Sequence, residues 1–343
     1  GGGSEAAEQF IVAPASGRPG AILCTHDVAL FVALCIGPSA LRAMGWADRA
    51  AHTAARTLWA TVVRACPGHL YICGGYSQED QRLKSAERFS LAAQVPSRGA
   101  IEVAAKPTVS SWEDMPTMTQ LRVGAAAGVV GGRLYICGGA LNHNTVLASV
   151  ERFDPIAGKW EAMPSMLAAR HGASAGALNG RLHVCGGWGN DEQPLASTEY
   201  FAPRYDTSKW EWGPALLHPR FSSGAATIGR RLFVCGGQHR NDPLNSVESF
   251  SADEPTAWKA APPMSEKRSA PAVAASAGFL YVCGGWDASR LNLRSVERFD
   301  PEVGVWEGVA PMTFRRFGAA AAASCTAADG AILVFGGYED DDP

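Results

Sequence analysis

A six-bladed, all-β propeller is the fold this sequence predicts, and three periodic observations predict it. Gly-Gly doublets stand at 74/75, 138/139, 186/187, 236/237, 284/285 and 336/337. A Trp recurs at 112, 160, 210, 258 and 306, and a Glu at 87, 151, 199, 248 and 297. After a first interval of 64 residues the doublets repeat every 48 to 52, a period suited to one small four-stranded sheet per repeat. A short sheet that is apolar on both faces needs a neighbour on each side, and a radial stack that closes on itself supplies them while hiding most strand edges.

One repeat, 122–164, shows why each strand forms. It opens on Arg122 and a small-residue run, GAAAGVV, which fits an inner strand at the crowded axis. A Gly-Gly turn leads to RLYIC, apolar on both faces as a strand packed between neighbours should be, and Gly138-Gly139 ends it. A polar loop leads to the third strand, SVERFDP, and after a turn Trp160 sits in the outer strand, KWEAMP. The GG doublet, the VERFDP-like strand and the spaced Trp resemble kelch repeats, whose period is about 50 residues. The resemblance covers roughly residues 60 to 343. WD40 propellers have a shorter period and end a strand on Trp-Asp, whereas Trp286-Asp287 here follows a doublet.

Three regions are expected. Residues 1–24, Gly/Ala/Pro-rich, are either a disordered leader or blade-closing strands. The sixth unit begins at Arg316 and carries only two strands before EDDDP, so the last blade is either incomplete or closed by the N-terminus. AEQFIVAP, with Glu8 and Phe10 in the Glu and Phe slots, is the segment that would close it. Residues 25–59 change character: Val28, Phe31, Val32, Cys35 and Ile36 follow helical spacing, and Gly37-Pro38 breaks the helix. Ser39 can cap a second helix carrying Leu41 and Met44. The order Asp27, Leu30, Leu34, Gly37-Pro38, Leu41, Arg49, Leu58-Trp59 resembles an F-box; the other reading is an amphipathic helical pair packed on the propeller. Residues 60–343 form the propeller, with an insertion near 91–109 that is read as surface decoration or a partner-specific loop.

Composition narrows the function. A net charge of −3 gives no basic field for nucleic acid or an anionic membrane, and the run VALFVALCI at 28–36 is too short to span a bilayer. No signal peptide is evident, and the chain begins with Gly1 rather than Met, as a fragment would. Cys73, Cys137, Cys185, Cys235 and Cys283 share one slot in successive blades, too far apart to pair, and read as reduced, buried hydrophobes of a cytosolic or nuclear protein. There is no metal-ligand spacing, nucleophile elbow, phosphate loop or paired catalytic carboxylate, so no cofactor, no metal and no catalysis are expected. Some kelch propellers are enzymes, copper oxidases among them, but their Tyr and His ligand set is not recognisable here.

The loops joining second and third strands match in length and differ in content, for example ALNHNTVLA, WGNDEQPLA, QHRNDPLN and WDASRLNLR. The opening Arg and the residue after the doublet lie at the same end, so that face is the expected binding surface. In kelch substrate receptors these slots contact short, often acidic peptides. The resemblance implies that use for Tyr76, Trp188, Trp286 and Tyr338, and for Arg122, Arg170, Arg220, Arg268 and Arg316. His171, Phe221 and Phe317, which follow the opening Arg, and Arg240 and Arg290 in the loops complete the expected site. Ala140 and Gln238 depart from the aromatic pattern. For the Arg set the alternative is pairing with framework Glu between blades.

The expected function is therefore substrate recognition for a cullin–RING ubiquitin ligase, with Leu30, Leu34, Ile36 and Leu41 docking the adaptor and the loop face holding a protein or peptide of acidic character. The alternatives are a kelch interaction scaffold without a ubiquitin link and a propeller enzyme acting on a sugar or metabolite.

Overall fold

The structure, a computed structural model, describes residues 69–75, 83–90, 112–142, 144–203, 209–323 and 332–338. The leader, the segment 25–59 with the four residues expected to dock an adaptor, the insertion within the first unit and Tyr76 lie outside these residues. Among the described residues every regular element is a strand.

Among the described residues six antiparallel blade sheets follow one another along the chain, one per repeat, with two further two-stranded hairpins in the loops of blades two and four. Blade one shows three strands, His69–Cys73, Ala86–Ser90 and Trp112–Asp114. Blade two has four, Ala126–Val130, Arg133–Cys137, Val150–Asp154 and Lys159–Met163, and so has blade three, Ser174–Leu178, Arg181–Cys185, Thr198–Phe201 and Trp210–Gly213. Blade four runs Gly224–Ile228, Arg231–Cys235, Val247–Ser251 and Lys259–Ala261. Blade five runs Ala272–Ser276, Phe279–Cys283, Val296–Asp300 and Val305–Val309. Blade six shows Ala320–Ala323 paired with Ile332–Phe335. The inner strands of blades two to six lie side by side in chain order.

Small inner-strand residues are a steric requirement. A Cβ added to Gly128 or Gly176 would collide with Leu182 or Leu232 on the second strand of the next blade. Those leucines are fully buried, so neither has room to move. The recurring Trp closes each interface from outside. Trp160, Trp210, Trp258 and Trp306 donate Nε1–H to the carbonyls of Pro116, Pro164, Pro214 and Pro262, at 2.7, 2.9, 3.0 and 2.7 Å, and each Pro follows the outer strand of the preceding blade. Each ring also packs on the Phe of its own third strand, at 5.2 Å for Phe153–Trp160 and 4.9 Å for Phe299–Trp306. One side chain thus fills a gap and ties two blades.

The slot three residues before the first glycine of each doublet holds Tyr71, Tyr135, His183, Phe233 and Tyr281, all buried. His183 lies 5.7 Å from Tyr200 and 5.6 Å from Phe250, and burial, with the Arg181 charge nearby, pulls its pKa down to about 4. It serves as a neutral aromatic. The five slot cysteines are buried and free, and burial pushes the thiols of Cys137, Cys185, Cys235 and Cys283 up to about 12, so the nucleophilic thiolate is not populated near neutral pH.

Candidate functional site on the loop face

The opening arginines are not on the surface. Arg122, Arg170, Arg220 and Arg268 are at most 2% exposed, and each is clamped into the sheet it leads into. Arg170 donates Nη1–H to the carbonyls of Gly186, 2.7 Å, and Ser197, 2.8 Å, and Nε–H to Glu199 Oε1, 2.9 Å. Arg122 treats Gly138, Ser149 and Glu151 the same way, and Arg220 and Arg268 pair with Glu248 and Glu297 at 2.6 and 3.1 Å. The Glu is shared with the backbone that carries the Arg: Thr119, Leu167, Leu217 and Ser265 each donate their N–H to it.

These four residues are therefore corrected from partner contacts to scaffold. Glycine is required where the clamp closes: Gly138 has φ 67°, and a Cβ there would strike the Arg170 carbonyl. Each guanidinium bridges the end of strand two and the start of strand three, so it holds both feet of the loop between them. The pairing lies within one blade, not between blades. The sequence did carry the signal: Arg and Glu recur 29 residues apart in blades two, three and five, and 28 apart in blade four. With the row neutralised, the convergence of cations on which an acidic partner was expected is absent. Arg316 differs, being half-buried, with Nη1–H donated to the Gly336 carbonyl at 2.8 Å and Phe314 beneath the guanidinium.

Above the clamps a belt of backbone hydrogen bonds joins successive blades: Gly172 N–H to Gly124 O, Ser222 to Gly172, Ala270 to Ser222 and Gly318 to Ala270, all between 2.7 and 2.9 Å. The residue just before each belt position pairs with the residue just after its blade's doublet, giving Val123–Ala140, His171–Trp188, Phe221–Gln238, Ser269–Trp286 and Phe317–Tyr338. The expected aromatics are thus brought together by backbone geometry. Trp188 meets Phe221 of the next blade edge-on at 4.8 Å, and Phe317 stacks on Tyr338 at 5.1 Å. His171, Trp188, Phe221, Trp286 and Phe317 are half-buried and Tyr338 is 39% exposed.

The loop tips carry charge of both signs. Arg240 and Arg290 are exposed, as expected, and both adopt left-handed backbone, φ 54° and 61°. Arg240 reaches Gln193 of the neighbouring loop at 3.3 Å, while Lys267 pairs with Asp242 at 2.9 Å. Among the described residues no group of three or more His, Cys, Asp or Glu could hold a metal ion, and no helix is long and apolar enough to cross a membrane. The opposite face is built from tight turns at Gly131-Gly132 and Asn179-Gly180.

Radially packed four-stranded blades, GG doublets and a Trp between blades define a kelch-repeat β-propeller, generally a protein-interaction module. The family model described as the KLHDC2/KLHL20/DRC7 Kelch-repeats domain matches residues 124–337, well over half of the chain, and the chain belongs to that family. Over 49 residues it is 41% identical to Kelch-like protein 21 of Bos taurus and of Homo sapiens, a match covering 14% of this chain and 8% of each relative. The solved structure of YjhT superposes with a TM-score of 0.59 over 73% of this chain and 87% of that one, at 14% identity. That likeness is one of fold.

Proposed function

We propose that the chain is the substrate-recognition subunit of a cullin–RING ubiquitin ligase, whose propeller holds a protein or peptide partner at the mouth of the loop face. The observation that carries the binding half is the set of aromatic side chains at that mouth which the scaffold does not consume. Trp160, Trp210, Trp258 and Trp306 are spent between blades, whereas Trp188, Phe221, Trp286, Phe317 and Tyr338 keep surface for a partner. Aromatic anchors of this kind supply most of the binding energy at interfaces. An acidic group in the partner would be met by Arg240 and Arg290 at the rim. No enzymic role is proposed, and the site of action is the cytoplasm or nucleus.

The ligase half is supported by the helix, Gly-Pro, helix, Leu-Trp order of 25–59, with Leu30, Leu34, Ile36 and Leu41 facing the adaptor. Its test is affinity purification of the full chain from cell extract, probing for the adaptor and the cullin. Both should co-purify with the native chain and disappear with the Leu30→Asp, Leu34→Asp double variant. Co-purification that survives the double variant refutes the F-box reading. Absence of both from the native chain leaves the plain kelch scaffold, which would use the same face.

A further inference from the structure

Blade five breaks the pattern of the mouth. In blades two to four the two residues paired on either side of the post-doublet position are mostly apolar: Val123 and Val146 beside Ala140, His171 and Pro194 beside Trp188, Phe221 and Pro243 beside Gln238. Around Trp286 they are Ser269 and Asn292. Ser269 is 0% and Asn292 4% exposed, and neither Ser269 Oγ nor Asn292 Nδ2 has a hydrogen-bond partner among the described residues. Leaving such groups buried and unmatched is unfavourable, so a fold with apolar residues available at both positions gains nothing from them as scaffold.

Residues directly paired across strands put their side chains on one face, so Ser269, the half-buried Trp286 and Asn292 share one face of the mouth. By the repeat, Ser269 takes the place in which Phe221 meets Trp188 of the preceding blade, which here is the place of Gln238. The mouth then reads, in order round the axis, as an aromatic pair, Trp188 with Phe221, a polar notch, and a second aromatic pair, Phe317 with Tyr338. Arg268, next to Ser269 in the chain, is already neutralised by Glu297 and Glu266, at 3.1 and 2.7 Å. A carboxylate entering the notch would lose its hydration without gaining Arg268 as a counter-ion.

We propose that this pair is the hydrogen-bonding floor of the partner site. On binding, the Trp286 indole swings aside and a neutral acceptor of the partner, a main-chain or carboxamide carbonyl, accepts from Asn292 Nδ2 and Ser269 Oγ. The acceptor is carried between two apolar side chains that settle on the aromatic pairs. This rests on the loop face being the partner site, and it assigns the partner's chemistry there: an uncharged, hydrogen-bonding centre with apolar flanks, acidic groups being confined to the rim.

The probe is a random-peptide phage library panned on the immobilised full chain, with enriched peptides synthesised and titrated. They should share an uncharged acceptor between apolar residues and bind Ser269→Ala and Asn292→Leu about 10-fold more weakly, the loss of one such bond, with melting unchanged or raised. Peptides that bind both variants as tightly as the native chain, yet lose affinity on Trp188→Ala, overturn this inference alone. A fall in melting without loss of binding also overturns it, since the pair would then serve the interior, through a buried water for instance. Selected peptides indifferent to Trp188→Ala would instead refute the loop face as the binding site.

Discussion

Replacing Arg170 with alanine is expected to destabilise the propeller by about 3–5 kcal/mol, because it breaks a fully buried ion pair from one side. Arg170 and Glu199 are both 0% exposed, and the guanidinium also donates to the Gly186 and Ser197 carbonyls. The variant would bury the Glu199 carboxylate with the Leu167 and Ala168 N–H groups as donors, and would strip the guanidinium from the Gly186 carbonyl and from the Ser197 carbonyl, which keeps the Gly186 N–H at 3.1 Å. Changing Arg170 and Glu199 together to Met should not restore the loss fully. The paired charge disappears, but the Leu167 and Ala168 N–H groups lose their acceptor. Urea unfolding of the full chain reads both effects. A melt untouched by Arg170→Ala would mean that the pair contributes nothing net.

Trp258→Ala should be comparably damaging, about 3–5 kcal/mol, for a different reason. The ring is 3% exposed and stands 5.4 Å from Phe250, in a cluster with Leu178, Cys185, Leu216, Leu232 and Val234 that fills the junction of blades three and four. Truncation leaves a cavity in a junction whose neighbours are held by strand pairing, and it deletes the bond to the Pro214 carbonyl. Trp258→Phe keeps most of the volume and forfeits chiefly that bond, about 1 kcal/mol. Thermal melts of the two variants separate packing from hydrogen bonding. Equal losses in both would show that the bond, not the ring, closes the junction.

The framework was legible because identical physical demands recur blade after blade. A doublet glycine, a small inner strand and a Trp at fixed spacing each meet the same neighbour every time, so period alone places them. The fate of the Arg row was not legible from its own slot. An arginine that opens a strand beside a loop reads equally as a partner contact or as a clamp, and what decides it is the Glu and Ser that arrive nearly thirty residues later on strand three. That co-recurrence was in the sequence, but only the fold shows that the third strand brings the carboxylate under the guanidinium. The post-doublet aromatics could be placed by period alone, and Trp188, Trp286 and Tyr338 occupy a slot where the backbone leaves surface. Ser269 and Asn292 could be singled out only once their pairing with Trp286 was visible.

The division of labour between a buried charged clamp and an aromatic mouth is tested most directly by measuring affinity and melting together for Trp188→Ala, using a library-selected peptide. Arg181→Ala is the control, because Arg181 is exposed on the turn face and stacks on Tyr200 at 4.8 Å. Losing an anchor such as Trp188 should weaken the peptide about 30-fold, roughly 2 kcal/mol, with little change in melting, while Arg181→Ala leaves affinity unchanged. Affinity that falls only in step with stability, or falls equally for Arg181→Ala, would contradict the account.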